Sequence, residues 1–219
     1  GGSITYTASV NNAVTGTPLA ITLSNGQTIT IPVGQSSATG AAFAVRADDA
    51  YAQGTQTLNV GISSISGGNY EALTTTSTAS TTVTDDADAT TVTISTATAT
   101  VTEGGSIVYT ATTSNPVTGS ALVVTLSNGQ TITIPVGQSS ANSAPWAVRG
   151  DDAYAQGTQT LNVTATGTTG GNFEAVTRSG TATTTVTDDA DATTVTISTA
   201  TATVTEGGPI AYTATTTNP

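Results

Sequence analysis

Residues 83–103, VTDDADATTVTISTATATVTE, return letter for letter as residues 186–206. GGSITYTA begins at Gly1, GGSIVYTA at Gly104 and GGPIAYTA at Gly207, so the chain repeats with a period of 103 residues. About three quarters of the positions in the first two copies are identical. A period near 100 residues is a whole domain, too long for a solenoid turn or a propeller blade. The expected organisation is a tandem array cut out of phase with its domains, an excerpt of something longer. One complete domain then runs over 89–191. Residues 1–88 are a copy lacking its first strand, and 192–219 are the first two strands of a third copy.

Threonine, serine, alanine, valine and glycine dominate the chain, a balance that suits strands over helices. The complete copy reads as seven β runs: 91–101, 107–112, 122–126, 131–136, 144–149, 159–165 and 182–187. In the first, Val92 and Ile94 share one parity while Ala97, Ala99 and Val101 share the other. That switch predicts a strand that kinks at Ser95-Thr96 and changes face or sheet. Between the third and fourth runs lies Asn128-Gly129. A two-residue turn there would mix the two faces, whereas a three-residue loop with Gly129 in the left-handed region puts Val124 opposite Ile132. Trp146 and its counterpart Phe43 share parity with Val148 and Val45, which marks them as core aromatics. Seven short strands without helical periodicity predict an all-β, immunoglobulin-like sandwich, repeated end to end.

The acids are distributed unevenly. If the strands alternate up and down, Glu103, Asp151, Asp152, Asp188, Asp189 and Asp191 fall at the C-terminal end of the complete copy. Glu174 falls at the other end, beside the preceding Asp85, Asp86 and Asp88, and is a candidate joint contact. The first copy carries Asp48 and Asp49 in the place of Asp151 and Asp152. The chain has three arginines, no lysine and no histidine to answer fourteen acids. Carboxylates crowded on short connections repel unless they are solvated or share a hard cation, and an oxygen-only set suits Ca²⁺. The expectation is Ca²⁺ held by these aspartates and Glu103, stiffening the joint between domains, with Arg46 and Arg149 as charge-assisted partners. A plain solvated acidic linker is the alternative. An all-oxygen site of that kind works where Ca²⁺ is millimolar, which points to the cell exterior.

The net charge of −11 has the wrong sign for nucleic acid. No run approaches eighteen apolar residues, so this segment is not expected to insert into a membrane. With no His, Cys or Lys, the usual bases and activated nucleophiles are absent, and no enzymatic activity is expected.

The order Glu103-Gly104-Gly105, ITIPVGQSS from Ile132, Asp151-Asp152-Ala153-Tyr154 and Val186-Thr187-Asp188-Asp189 resembles Calx-β and related Ig-like calcium domains. The tandem, threonine-rich, lysine-free setting resembles the extender repeats of giant RTX adhesins of the large adhesion protein type, exported by type I secretion in biofilm-forming bacteria. That resemblance implies a structural stalk on the bacterial cell surface, anchored through parts of the protein outside this segment. Ca²⁺ at or near the joints would stiffen it, with neighbouring repeats of the same chain as partners. Glu103, Asp151, Asp188 and Asp189 match the family's acidic positions, and Asp152 and Asp191 extend the set.

Other readings compete. Arg149-Gly150-Asp151 spells an integrin-type tripeptide, but the first copy has Arg46-Ala47-Asp48. The alternation Thr96-Ala97-Thr98-Ala99-Thr100 sets threonines on one face, which makes a module for ice, polysaccharide or a cell-surface ligand the runner-up; β propensity on a solvated face explains it as well. Last, a first copy without its strand should expose an apolar seam, and the spare strand at 194–204 matches it. Head-to-tail strand complementation between copies is the corresponding expectation.

Overall fold

The computed structural model describes residues 1–75 and 77–218, and among them there are strands, turns and loops but no helix. The chain divides into two compact units, Gly1–Asp88 and Ala89–Pro219. The first holds β1 (Ser3–Ile4), β2 (Thr7–Ser9), β3 (Leu19–Leu23), β4 (Thr28–Ile31), β5 (Ser37–Thr39), β6 (Phe43–Ala44), β7 (Gln56–Ser66) and β8 (Thr78–Val83). The second begins with β9 (Ala89–Thr96), β10 (Thr100–Thr102), β11 (Ser106–Ile107), β12 (Tyr109–Thr113), β13 (Leu122–Leu126) and β14 (Thr131–Ile134). It continues with β15 (Ser140–Asn142), β16 (Trp146–Ala147), β17 (Gln159–Val163), β18 (Ala165–Thr169), β19 (Ala175–Ser179), β20 (Ala182–Thr187), β21 (Val195–Thr199) and β22 (Tyr212–Thr216).

The second unit is a β-sandwich. One layer has the order β15-β12-β9-β19; the other is built from β14-β13-β18 and β10-β20-β17, joined through the nearly continuous β17 and β18. Alternating side chains from both layers meet in one core, with Val92, Ile94, Tyr109 and Ala111 from the first and Val124, Leu126, Ile132, Val163 and Ala182 from the second. Period-two burial of this kind is what a half-buried strand requires.

The first β run does change layers. β9 lies between β12 and β19, while β10 lies parallel to β20 in the opposite sheet. The crossing occupies 97–99, beyond the expected kink at Ser95-Thr96, and is fixed by bonds from Thr185 N to Ala99 O and from Thr184 Oγ1 to Thr98 O. Of the three residues that share the second parity, Ala97 and Ala99 are exposed and Val101 packs on the core. The hairpin loop is as expected: Val124 faces Ile132, Gly129 has φ of 84°, and its N–H donates to Leu126 O. Trp146 and Phe43 are half-buried against their cores.

Seven runs prove too few. The fifth shrinks to β16, a separate strand, β15, precedes it and pairs with a different partner, and the sixth extends through β18 to Thr169. Ala175–Ser179 forms a further strand, outside the seven expected runs. It pairs in parallel with β9, and Thr91–Thr177 and Thr93–Ser179 hydroxyl bonds tie the pair on its outer face.

The first unit repeats this plan in part. One layer is β4-β3-β7-β8; β2-β5 and β1-β6 contribute the other. Its core gathers Tyr6, Val14, Leu19, Ile21, Leu23, Ile29, Ile31 and Val60. β8 and β2 each have an edge that, in the second unit, is covered by β10 and β9. Between those edges lies a groove of about 140 Å³ lined by Tyr6, Ile21, Leu23, Val60, Ile62 and Ala79 among others. This is the apolar seam expected from the sequence.

Candidate metal centre

The acidic end of the second unit is assembled from three connections. β10 runs directly into Glu103, whose N–H donates to Thr187 O at the end of β20. Gly104 then turns with φ of 73° and donates to Arg149 O. A Cβ on Gly104 would stand 3.0 Å from the Asp151 Cβ, so glycine lets the two connections close on each other. Asp188 and Asp189 follow the last residue of β20.

Arg149 is the hub. Its Nε donates to Glu103 Oε2 at 2.9 Å and its Nη2 to Asp188 Oδ1 at 3.2 Å and to Gly157 O at 2.7 Å. The other Asp188 oxygen accepts from the backbone amides of Gln156 at 2.8 Å and Gly157 at 3.2 Å. Burial pushes the Asp188 pKa up, but those two amides, with Glu103 and the Arg149 guanidinium, outweigh it and hold it below the ordinary value of 3.8. Asp188 is thus a structural anion, bound by its own loop. Asp152 is similar in kind: it accepts from Tyr154 N at 2.8 Å and from the Gln156 side-chain amide.

What remains faces one point. Carboxylate oxygens of Glu103, Asp151 and Asp189 all lie within 4.8 Å of one another. The Glu103 side chain is 1 % exposed, and its Oε1 is buried with no hydrogen-bond partner. Burial is the main cause that raises its pKa above the ordinary 4.5, opposed by Arg149 and reinforced by the neighbouring Asp188. A buried, unpaired carboxylate oxygen is costly unless a proton or a cation satisfies it.

The first unit holds the same machinery one period earlier. Arg46 donates to Asp85 at 2.9 Å; Asp85 accepts from the amides of Gln53 at 2.6 Å and Gly54 at 3.2 Å; Asp49 accepts from Tyr51 N at 2.8 Å. The converging carboxylates are Asp48, Asp86 and Asp88, again within 4.8 Å of one another. The hydrogen bond and charge of Asp48 raise the Asp86 pKa above 3.8. Among the described residues these are the two groups of this kind. Asp191, the counterpart of Asp88, is exposed and stands outside the second group. Glu174 is half-buried just ahead of β19, at the end of the second unit that carries Ala89 and away from Glu103.

The donor set fits a hard divalent cation. Oxygens on opposite sides of a Ca²⁺ at 2.3–2.6 Å stand roughly 4.6–5.2 Å apart, so oxygens within the observed separation can share one ion. No nitrogen or sulfur ligand is in either group. Beyond the acids, the site depends on Gln156 and Gly157, which the sequence reading passed over. The signal for them is DDAYAQG, identical at 48–54 and 151–157 inside copies that differ nearby.

A family model described as the LapA domain matches residues 1–86 and again 88–189. The chain belongs to the LapA domain family. It is therefore a tandem pair of matches to a domain of the large adhesion protein type, with residues 190–219 beyond the second. No curated protein matches the chain. The two LapA matches meet beside Asp88, where the first carboxylate group ends and β9 is about to begin. Membership in this family makes an adhesin-related role the frame in which the acidic groups are understood.

Proposed function

We propose that these LapA repeats are extender domains of a giant RTX-type bacterial adhesin. In that role each repeat binds Ca²⁺ at its acidic end, and the bound ions stiffen a stalk that projects ligand-binding domains from the cell surface for attachment and biofilm formation. The observation that carries this reading is the buried Glu103 carboxylate, with one oxygen on Arg149 and the other unpartnered, converging with Asp151 and Asp189. Asp48 and Asp86, one period before Asp151 and Asp189, converge likewise, there with Asp88, which supports a per-repeat site. Glu103, Asp151 and Asp189 would hold the ion in the second unit, while Asp188, Asp152 and Arg149 fix the loops that present them. Bound Ca²⁺ supplies positive charge and a coordination requirement for several oxygens, which links connections that otherwise repel.

The stiffening follows from sequence position. Asp86 and Asp88 lie at the covalent passage from one repeat into the next, so an ion that ties them to Asp48 removes freedom from that passage. Calorimetric titration of the chain with Ca²⁺, alongside small-angle scattering in Ca²⁺ and in EDTA, tests both halves. Saturable heat and a longer maximum dimension in Ca²⁺ are expected. Absence of binding heat ends the calcium reading, while binding without any change in scattering removes the stiffening role alone.

A further inference from the structure

The hairpin loops of the two units carry a residue pair able to rewrite its own backbone. Residues 22–37 recur unchanged as 125–140, so Asn25-Gly26-Gln27 recurs as Asn128-Gly129-Gln130; these are the chain's two Asn-Gly pairs. In such a pair the glycine amide nitrogen, with no Cβ to shield it, loses its proton and attacks the asparagine Cγ. The new N–Cγ bond closes a succinimide, the Cγ–Nδ2 bond breaks, and ammonia leaves. Water then opens the ring at either carbonyl, giving aspartate or isoaspartate. The balance is asparagine and water to acid and ammonia, with no enzyme or oxidant needed. Water reaches both loops: Gly26 and Gly129 are exposed, and a Cβ on either would meet nothing within 4 Å.

Every group that must move in this reaction is instead held. The attacking nitrogen is engaged, since Gly129 N donates to Leu126 O at 3.0 Å and Gly26 N to Leu23 O at 3.0 Å. The side-chain carbonyl is fixed by the residue two ahead: Gln130 N donates to Asn128 Oδ1 at 3.2 Å, and Gln27 N to Asn25 Oδ1 at 3.2 Å. The leaving nitrogen is covered by the same glutamine. Gln130 Nε2 donates to Ala144 O at 3.2 Å and Gln27 Nε2 to Ala41 O at 3.0 Å, which leaves the Oε1 end of each amide for the asparagine. Asn25 Nδ2 donates to Gln27 Oε1 at 3.4 Å. The same donor and acceptor in the second unit, Asn128 Nδ2 and Gln130 Oε1, are both buried and bonded to nothing else. A buried Nδ2 is cut off from the solvent proton it needs to depart as ammonia. The loop itself is moored, with Ser127 N donating to Thr164 O at 2.9 Å and Thr164 N to Ser127 Oγ at 3.1 Å.

We propose that Asn25 and Asn128 are deamidation sites locked by Gln27 and Gln130, converting only when their hairpin opens. Conversion then tracks the open fraction of the hairpin. Reclosure does not undo it. Aspartate at position 128 sets a carboxylate oxygen against Gln130 Oε1 where an N–H stood, two acceptors with no proton between them. Isoaspartate adds a carbon to the main chain of a loop that holds Val124 opposite Ile132. Each repeat thereby keeps a covalent record of having been opened.

The test is ageing of the 219-residue chain at mildly alkaline pH, read by mass spectrometry as NH₂ replaced by OH. Cleavage after arginine separates Asn25, in residues 1–46, from Asn128, in residues 47–149, and fragmentation localises the change. Both sites are expected to stay asparagine in the folded chain over times in which both convert in denaturant. Gln130→Ala, in a chain that circular dichroism shows to be folded, should convert Asn128 roughly five- to thirtyfold faster, the effect of one or two lost hydrogen bonds on the open population. Asn25 in that chain should keep its original rate, and Gln27→Ala should reverse the pattern. A measurement on the unaltered chain serves even where a variant fails to fold: in urea below the unfolding transition, conversion of Asn128 should rise in step with hydrogen exchange at the Gly129 amide. Equal rates in the folded and denatured chain would overturn the proposal. So would a folded Gln130→Ala chain that converts no faster than the original, acceleration of Asn25 and Asn128 together, or conversion indifferent to opening at Gly129.

Discussion

The first and second units are nearly the same sequence in two circumstances, one with its leading strand packed and one without. Tyr109 is fully buried and Tyr6 is 7 % exposed; Ala182 is 2 % exposed while Ala79 lies open; Val186 is fully buried and Val83 only half. Each of these pairs is identical in residue type, so the difference measures what β9 and β10 do. They close the core and supply partners to two sheets. The acidic ends differ in parallel fashion. Where β10 delivers Glu103, the converging group is Glu103, Asp151 and Asp189; in the first unit Asp88 joins Asp48 and Asp86 instead. Asp48 and Asp86 correspond to Asp151 and Asp189, so two of the three converging carboxylates come from the same loops in both units.

The strongest way to break the comparison is to remove the strand's contribution from the second unit. Ile94→Ala deletes a side chain that is 2 % exposed between the layers and should cost about 2–5 kcal/mol. Its counterpart Ile197→Ala, at 70 % exposure, should change stability by less than about 0.5 kcal/mol in monomeric chain. Hydrogen exchange resolved by unit is the measurement, with loss of protection confined to the second unit. Equal effects from the two substitutions would mean that burial by β9 does not stabilise the sandwich.

The acidic groups offer the next test. Asp151→Ala should weaken Ca²⁺ binding tenfold or more at the second unit and leave the first unchanged; Asp48→Ala should do the reverse. Calorimetry of each variant distinguishes two independent sites from one diffuse atmosphere, which would lose little from either change. Acid should sharpen the contrast. Glu103 holds its proton above the ordinary 4.5 because burial disfavours the anion, so protons compete with Ca²⁺ for it from a higher pH than an exposed glutamate allows. Without Ca²⁺, Glu103 stabilises the fold while protonated and that contribution is lost as pH rises through its folded pKa. Asp188 works oppositely: its depressed pKa stabilises the fold above the ordinary 3.8 and is lost as pH falls. Thermal unfolding across acid pH, with and without Ca²⁺, should show the ion's benefit shrinking as pH falls.

These contrasts also explain what could be read ahead of the structure. The layer change in 89–102 was legible because Val92, Ile94 and Val101 record it as a break in period two, a purely local signal. β19 was not. Residues 72–75, counterparts of its first four positions, are exposed and form no strand where the leading strand is absent, although Ala72 and Thr74 match Ala175 and Thr177. That segment becomes a strand through parallel pairing with β9, some 86 residues away in sequence, and no local pattern encodes such a partner. In the site, aspartates announced themselves as DD pairs, and Arg149 as the cation near them. The division of labour among them was hidden. Asp188 and Asp151 look alike in sequence, yet the amides of Gln156 and Gly157 claim one and leave the other to converge with Glu103.

The smallest expected effect probes a part the two units share. Gly26 and Gly129 sit at φ of 85° and 84° in the same bulged hairpin loop, and neither would bring a Cβ into contact with another group. The cost of Gly129→Ala is then backbone strain alone, about 1 kcal/mol. Gly26→Ala should cost the same if each hairpin is an autonomous local element. The hairpin of β3 and β4, however, contributes Leu23 and Ile29, and both line a groove whose counterpart in the second unit is covered by β9. If the open groove leaves that hairpin more loosely held, it can relax around the substitution and Gly26→Ala should cost less than Gly129→Ala. Filling the groove with a synthetic peptide of residues 89–102, the segment that covers the corresponding core in the second unit, should then bring the two costs together. Chemical denaturation of the two variants, each with and without peptide, separates strain set by the turn from strain set by the packing beneath it.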